Sequence, residues 1–358
     1  MQRCSFAERI TNQLKSKNMS KIICLQSPSA LFAMPVFEVT TDSDKLTEID
    51  IYDADDNLLG VKSLVGALNY KVNVATYAKM MVDVSPLPSS VSGFTTPKDR
   101  IAVIKAQVDA GSQSMEVVGS REPLYSDRLL SEVPLRRAIA PIECDELSFW
   151  VSSGVLKADV VMYDRRGLEL HLGQESFRME SQGMASYVVN MSALASKLMG
   201  SYNKSIDTFD NFSVRITKDS TLLAEVIYHI EEPSSRRIRL YWWNRYGAID
   251  GYSFNLSGQH NYKVVKSEGQ KGGLLQMTPH TISHSYEVVM DVIDGQIQRL
   301  VADMVSSPKV WRLDGEYRQI VVQSKEYSLV EGVAEPIRLT ITEDEFNGVN
   351  MMSDEISY

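Results

Sequence analysis

Cysteine is scarce. Cys4, Cys24 and Cys144 are the only three in 358 residues, an odd number scattered along the chain. That excludes the dense, even framework of a disulfide-stapled secreted module and reads as free thiols. Glycine and proline are sparse too, 20 and 12, which excludes collagen-like repeats and low-complexity disorder. Positive charge is in deficit, with 37 Lys and Arg against 46 Asp and Glu and a formal net charge of −9. A surface of that sign repels phosphate on average, so a general nucleic-acid binder is not expected. Long apolar runs are missing as well. The longest uncharged stretch, Ile22–Phe37, is 16 residues and is broken by Gln26, Ser27, Pro28 and Pro35, short of the roughly 20 apolar residues of a membrane span. It follows a basic leader (Arg3, Arg9, Lys15, Lys17, Lys21), but Glu8 within the leader and the interrupted apolar part do not fit a signal peptide.

Catalytic signatures are equally absent. The chain has no Gly-x-Ser-x-Gly elbow, no Gly-x-x-x-x-Gly-Lys and no Gly-x-Gly-x-x-Gly, and Lys271-Gly272-Gly273 stands alone as a loop marker, so nucleotide chemistry has no support. His280 and His284 lie four apart, which on a helix would suit a metal; the intervening Thr281, Ile282 and Ser283 favour a strand, and no Glu completes a zinc-protease pattern. Asp53, Asp55, Asp56 and Asn57 resemble the start of a calcium loop, but Leu58 stands where a Gly is wanted and Leu64 where a bidentate Glu is wanted. A solvated hairpin turn is the better account. No cofactor, no metal and no enzymatic activity are expected.

What is present is an ordinary globular composition, 44% hydrophobic and 23% charged, over a length that suits two or three domains at about 150 residues each. Short β-rich runs punctuated by turn residues dominate from Ile22 onward. The expected fold class is mainly β: tandem antiparallel β-sandwich domains, with one C-terminal α-helix giving the last domain an α+β character. Residues 1–19 form a leader, with Ser5 and Glu8 spaced as a capping box for a short helix over 5–16 or else a frayed segment. Domain 1 spans 20–95, with strands at 35–40, 47–52, 58–62, 71–77 and 80–84, and a linker rich in Pro and Ser from Ser85 to Pro97. Domain 2 spans 96–233. It contains a short helix at Ser192–Met199 stopped by Gly200 and a hairpin turning at Lys218-Asp219-Ser220. Domain 3 spans 234–345. In its first strand Ile238, Leu240 and Trp242 alternate with Arg237, Arg239, Tyr241 and Trp243, a dry face and an amphipathic one. Its helix, 295–305, carries Ile297, Leu300, Val301, Met304 and Val305 on one stripe behind a candidate N-cap, Asp294. An acidic tail, polar from Glu343, closes the chain over 346–358.

An echo recurs three times: Tyr52-Asp53 with Asp56, Tyr163-Asp164 with Gly167, and Trp243-Asn244 with Gly247. Each puts an aromatic residue, then Asp or Asn, at a strand end with a turn residue three positions on. Such side chains start turns by hydrogen-bonding nearby backbone, so three hairpins obeying one local rule explain it; related modules are the alternative. The aromatic concentration at Tyr241, Trp242, Trp243, Tyr246, Tyr252 and Phe254 fits core and cross-strand packing, with stacking on sugar rings as the alternative. Arg236, Arg237, Arg239 and Arg245 beside it read as a solvated strand face.

The segment Arg237–Phe254 resembles one that recurs in structural proteins of tailed phages and prophages, where a strand ends in Trp-x-Asn-x-x-Gly-like residues and re-enters as Asp-x-Tyr-x-Phe. Trp242, Trp243, Asn244, Arg245, Gly247, Asp250, Tyr252 and Phe254 carry the match as an interaction or structural motif. Gln26-Ser27-Pro28 to Val39 is similar to the opening of such proteins. The helix followed by Ser306-Ser307-Pro308-Lys309-Val310 and the strand to Tyr327 is similar to their C-terminal unit. The resemblance implies a virion building block made in the bacterial host cytoplasm, a tail, tail-tip or connector component assembling as an oligomeric ring. Its partners would be copies of itself and other virion proteins. It implies no nucleic-acid or membrane partner. Two other readings stay open: a secreted or surface β-sandwich protein binding glycans through the 241–254 aromatics, and a hydrolase with two carboxylates in a groove.

Overall fold

A computed structural model describes residues 20–41, 46–65, 69–109, 111–271, 274–290, 295–323 and 336–347. The leader helix over 5–16, the N-cap Asp294 and the last residues of the acidic tail lie outside them. The chain is mainly β and divides into two units.

The first unit holds the described residues up to Val84, then Pro97–Tyr125 and Arg245–Ala248. It opens with β1 (Lys21–Cys24), β2 (Ser29–Ala30), β3 (Val36–Thr40), β4 (Thr47–Tyr52), β5 (Leu58–Leu64), β6 (Asn69–Asn73) and a helix α1 (Ala75–Met81). The next strand, β7 (Gly93–Thr95), counts with the second unit; β8 (Ile101–Val108) and β9 (Gly111–Val118) return to the first. Its sheets are β1-β3-β6 and β2-β9-β8-β4-β5. Alternation explains them: Phe37 and Val39, Ile49 and Ile51, Ile104 and Ala106, Met115 and Val117 are all buried at every second position. The strands expected at 71–77 and 80–84 are corrected. The chain leaves β6 at Asn73, whose Oδ1 accepts the Ala75 amide at 2.8 Å, and turns into α1, where Ala78 is buried. Thr76 and Tyr77 read locally as strand formers, but a buried Ala78 outweighs that preference.

In the second unit come β10 (Arg128–Leu129), β11 (Arg136–Ile139), β12 (Cys144–Val151), β13 (Gly154–Asp164), β14 (Glu169–Met179), β15 (Gly183–Asn190), α2 (Met191–Lys197), β16 (Phe209–Lys218) and β17 (Thr221–Ile230). Sheets β10-β12-β15-β7 and β11-β17-β16-β13-β14 enclose one core that includes Leu147, Phe149, Leu156, Met162, Phe212, Val214 and Tyr228. The pairs β2–β9 and β11–β17 are parallel, exceptions in an otherwise antiparallel pattern. The expected stop at Gly200 is also corrected: α2, capped by Asn190 Oδ1 on the Ala193 amide, runs on into a π-helical turn through Tyr202, and left-handed Asn203 ends it.

The remaining strands are β18 (Arg237–Trp243), β19 (Ile249–Lys271), β20 (Leu274–Met290), β21 (Val310–Asp314), β22 (Glu316–Val322) and β23 (Ile337–Asn347), with α3 (Gly295–Val305) between β20 and β21. They close as a barrel in the order β18-β19-β20-β23-β22-β21. Ile297, Leu300, Val301 and Met304 of α3 join Leu240, Trp242, Phe254, Val288 and Leu339 in its core. The polar segment from Glu343 is not all tail: β23 continues to Asn347, because Glu343 faces His284 across the sheet and is held by Arg312 at 3.0 and 3.1 Å.

The echoed turns at Asp53 and Asp164 obey one local rule. Asp53 Oδ1 accepts the amides of Asp55 and Asn57 at 2.9 Å, and Asp164 Oδ1 accepts those of Arg166 and Leu168 at 2.8 Å. Asp56 and Gly167 take the left-handed conformation in each. In the third, buried Asn244 donates from Nδ2 to the Leu130 carbonyl at 2.8 Å, and Gly247 is left-handed.

Candidate functional site

The motif residues fall in the hairpin β18–β19, whose register runs from Arg237 opposite Asn255 to Trp243 opposite Ile249. Trp242 and Phe254 are buried in the barrel core, and Trp242 Nε1 donates to Asp303 Oδ2 on α3 at 3.2 Å. Tyr252 packs edge-on to Phe254, ring centroids 5.5 Å apart. Trp243 is buried too, its carbonyl accepting the Ser307 hydroxyl at 2.8 Å. Arg245 and Gly247 belong to the first unit. There the Arg245 carbonyl accepts the Arg121 amide at 2.7 Å and its guanidinium reaches Glu122 at 3.2 Å. Gly247 is left-handed, and a Cβ on it would sit 2.9 Å from the Gly119 carbonyl carbon; no other residue fits without strain. Sugar stacking needs exposed rings, and of the six aromatics all but the half-buried Tyr252 are buried.

The amphipathic face expected of β18 is not solvated. Arg239 is buried, and its Nη2 lies 2.9 Å from Asp145 Oδ1 while its Nη1 lies 3.5 Å from Glu143. Asp145 also accepts Arg137 Nη1 at 3.0 Å and the Tyr228 hydroxyl at 2.7 Å. One carboxylate on β12, 1% exposed, therefore gathers two guanidiniums and a phenol from β11, β17 and β18. Burial, with the neighbouring Asp145 charge, pushes Tyr228 well up, so its proton stays on the oxygen. Gly251 of β19 permits the approach: a Cβ there would meet Asp145 Oδ1 and the Tyr241 ring at 3.1 Å. Tyr241 in turn donates to the Cys144 carbonyl at 2.9 Å. Cys24 and Cys144 are free thiols, and burial raises Cys144 to about 11, out of reach of thiolate chemistry at neutral pH.

Asp250, opposite Trp242, is the perturbed acid of the motif. Burial, then the charge of Asp303, push its carboxyl up to about 7, against the opposing pull of hydrogen bonds from Ser131 and Asn244 and of Arg137. Asp250 and Asp303 are 1% and 0% exposed, so this carboxylate pair sits in the core and not in a groove open to substrate.

A cleft of about 730 Å³ lies against the barrel. Arg237, Arg312, His260, His284 and Tyr286 are among its lining. His284 meets His260 of the neighbouring strand, Nδ1 of His260 lying 2.8 Å from Nε2 of His284. His280, four residues along β20, has no described side chain. Sequence spacing missed Asp145, Arg137, Tyr228, Asp303 and His260 because each acts through partners distant in sequence; a Gly inside a strand, at 251, was the available sign of close approach.

Among the described residues no three His, Cys, Asp or Glu are grouped to hold a metal, and no helix is long and apolar enough to cross a membrane. No family model matches the chain, and no curated protein matches it. Among solved structures it is similar to trypsin-activated alpha-2-macroglobulin from Escherichia coli at TM-score 0.20 and 7% identity, covering 91% of this chain and 22% of that one. It is similar to the native conformation of the E. coli protein at 0.20 and 8%, covering 76% and 21%. It is also similar to domains 4–9 of surface layer protein SbsC at 0.20 and 8%, covering 92% and 43%. The chain thus spans less than half the length of each, and likenesses this distant carry no argument.

Two outcomes test the buried charges. Asp145→Ala removes the carboxylate that Arg137 meets and leaves Arg239 only Glu143, at 3.5 Å, and urea unfolding is expected to show a loss of about 3–5 kcal/mol in the second unit. Asp250 holds in the fold a proton that an unfolded carboxyl releases above about pH 3.9. The folded value is the higher one, so its contribution is full below pH 4 and is lost as pH rises through about 7. Melting temperature measured from pH 5.5 to 8.5 should therefore fall more steeply for the wild type than for Asp250→Asn.

Proposed function

We propose that this chain is a non-enzymatic structural subunit of a tailed-phage or prophage virion, a tail, tail-tip or connector component that assembles with copies of itself into a ring. The observation that supports the reading is the hairpin β19–β20. β18 accompanies β19 only to Asn255, and β23 accompanies β20 only to Thr281. Beyond those points, among the described residues, Lys266–Lys271 and Leu274–Pro279 pair with each other alone. At about 3.3 Å per residue this two-stranded arm reaches about 20 Å past the barrel's last paired strand. A two-stranded ribbon is marginal on its own, and its outer edges offer unpaired N–H and C=O groups that another chain's strand can complete. Around a ring each such contact is made once per copy, so modest contacts add to a stable whole. The buried Arg–Asp–Arg cluster and the packed motif suit a rigid building block.

Light scattering and electron microscopy of the purified chain, alone and with the particle fraction of its source, test this. Discrete rings or particle-bound copies are expected, and replacing 266–279 by a two-residue turn should leave a folded monomer that no longer assembles. A wild-type chain that stays monomeric and ignores particles overturns the reading.

A further inference from the structure

We infer that the sandwich of the second unit holds a binding site for a small neutral aromatic molecule carrying one hydroxyl group, of the benzyl alcohol class. This does not depend on the virion reading. The site is a cavity of about 170 Å³ between β15 of one sheet and β13, β14 and β16 of the other, bordered by α2. Its apolar wall includes Leu172, Val189, Leu194, Phe212 and Val214. Protein interiors pack to the density of organic crystals and hold few voids larger than a water molecule, so a space of this size is not ordinary packing. An apolar cavity of about 150 Å³ stays dry and takes benzene; this one has room for such a ring and one short substituent. Glu175 and Lys197 also line it, with side chains 45% and 40% exposed, so the cavity reaches the surface beside them.

A second observation, independent of size, says what the occupant carries. Tyr187 lines the cavity and is 5% exposed; its ring packs edge-on against Phe94, centroids 4.9 Å apart, yet its hydroxyl makes no hydrogen bond among the described residues. Buried phenols usually find a partner, and one left without sacrifices stability. Burial, then the charge of Glu175, raise this phenol above its ordinary range, so at neutral pH it keeps its proton and can both donate and accept. Asn190 does not compete for the same role: its Nδ2 donates to the Ser89 and Val91 carbonyls at 2.7 and 3.1 Å, and its Oδ1 caps α2. At the rim Lys197 lies 3.8 Å from Glu175, and the two charges cancel. A ligand acid or amine would therefore lose its hydration without gaining a free counter-charge, whereas a neutral hydroxyl needs only Tyr187.

The test is a chemical-shift titration of the full-length chain, labelled at its Leu and Val methyl groups, with benzyl alcohol and separately with toluene and benzoate. Saturable shifts are expected at Leu172, Val189, Leu194 and Val214 with benzyl alcohol and with toluene, and much weaker binding of benzoate. Tyr187→Phe removes a hydroxyl that no described residue holds, so the fold should survive; affinity for benzyl alcohol should fall about 3–10-fold while that for toluene is unchanged. Ala193→Phe, at a half-buried position of α2 that lines the cavity, should fill the space and abolish binding of both. The site is overturned by no saturable shift at these methyls, by benzoate bound as tightly as benzyl alcohol, by a Tyr187→Phe variant that binds benzyl alcohol like the wild type or weakens toluene equally, or by binding that survives Ala193→Phe.

Discussion

The second unit depends on a single carboxylate. Asp145 lies at the inner edge of the sandwich, and ionised it can be tolerated there only because two guanidiniums and a phenol converge on it. Burying three charges costs more in lost hydration than one pair returns, so the arrangement holds only when every partner is in place. That requirement acts as a geometric lock. β11 and β17 supply Arg137 and Tyr228, β12 supplies the carboxylate, and Arg239 arrives from the first barrel strand. A slip of β18 by one residue would carry Arg239 into the barrel core and Leu240 onto Asp145, which both sides forbid. Thus the polar cluster on one face and the apolar core on the other together set the register of this barrel strand.

Read from sequence, local structure was legible and long-range polar partnership was not. The hairpin turns at 53–57 and 218–220 stood out because Asp, Asn and Ser there satisfy backbone within a few residues. The α3 stripe stood out because helical periodicity is local too. Alternation in β18 separates two faces, but it does not show that the second is dry; Gly251 signals a close approach there without disclosing that Asp145 is what approaches. The helix α1 was hidden for the opposite reason: its Thr and Tyr carry strand preferences, and only tertiary burial of Ala78 reverses them.

The motif illustrates a second limit. Its residue types resemble an interaction surface, yet in the fold they are mostly internal. Trp242 ties the hairpin to α3 through Asp303, Asn244 satisfies the Leu130 carbonyl, and Gly247 lets two backbones approach where a side chain would collide. Such residues are constrained by packing whatever the protein does. The ribbon of β19 and β20 beyond Val265 and Thr281 differs from them in pairing, among the described residues, only with itself.

On the proposed reading, that backbone needs protection against indiscriminate pairing. An exposed ribbon invites indiscriminate pairing unless its edges carry charge or proline, and β19 carries Lys263, Lys266 and Lys271 while β20 carries Pro279. The register shift at Val265–Lys266 bends the ribbon near the point where β23 leaves it. On the proposed reading, that bend sets the direction from which a neighbouring strand can meet the ribbon edge-on.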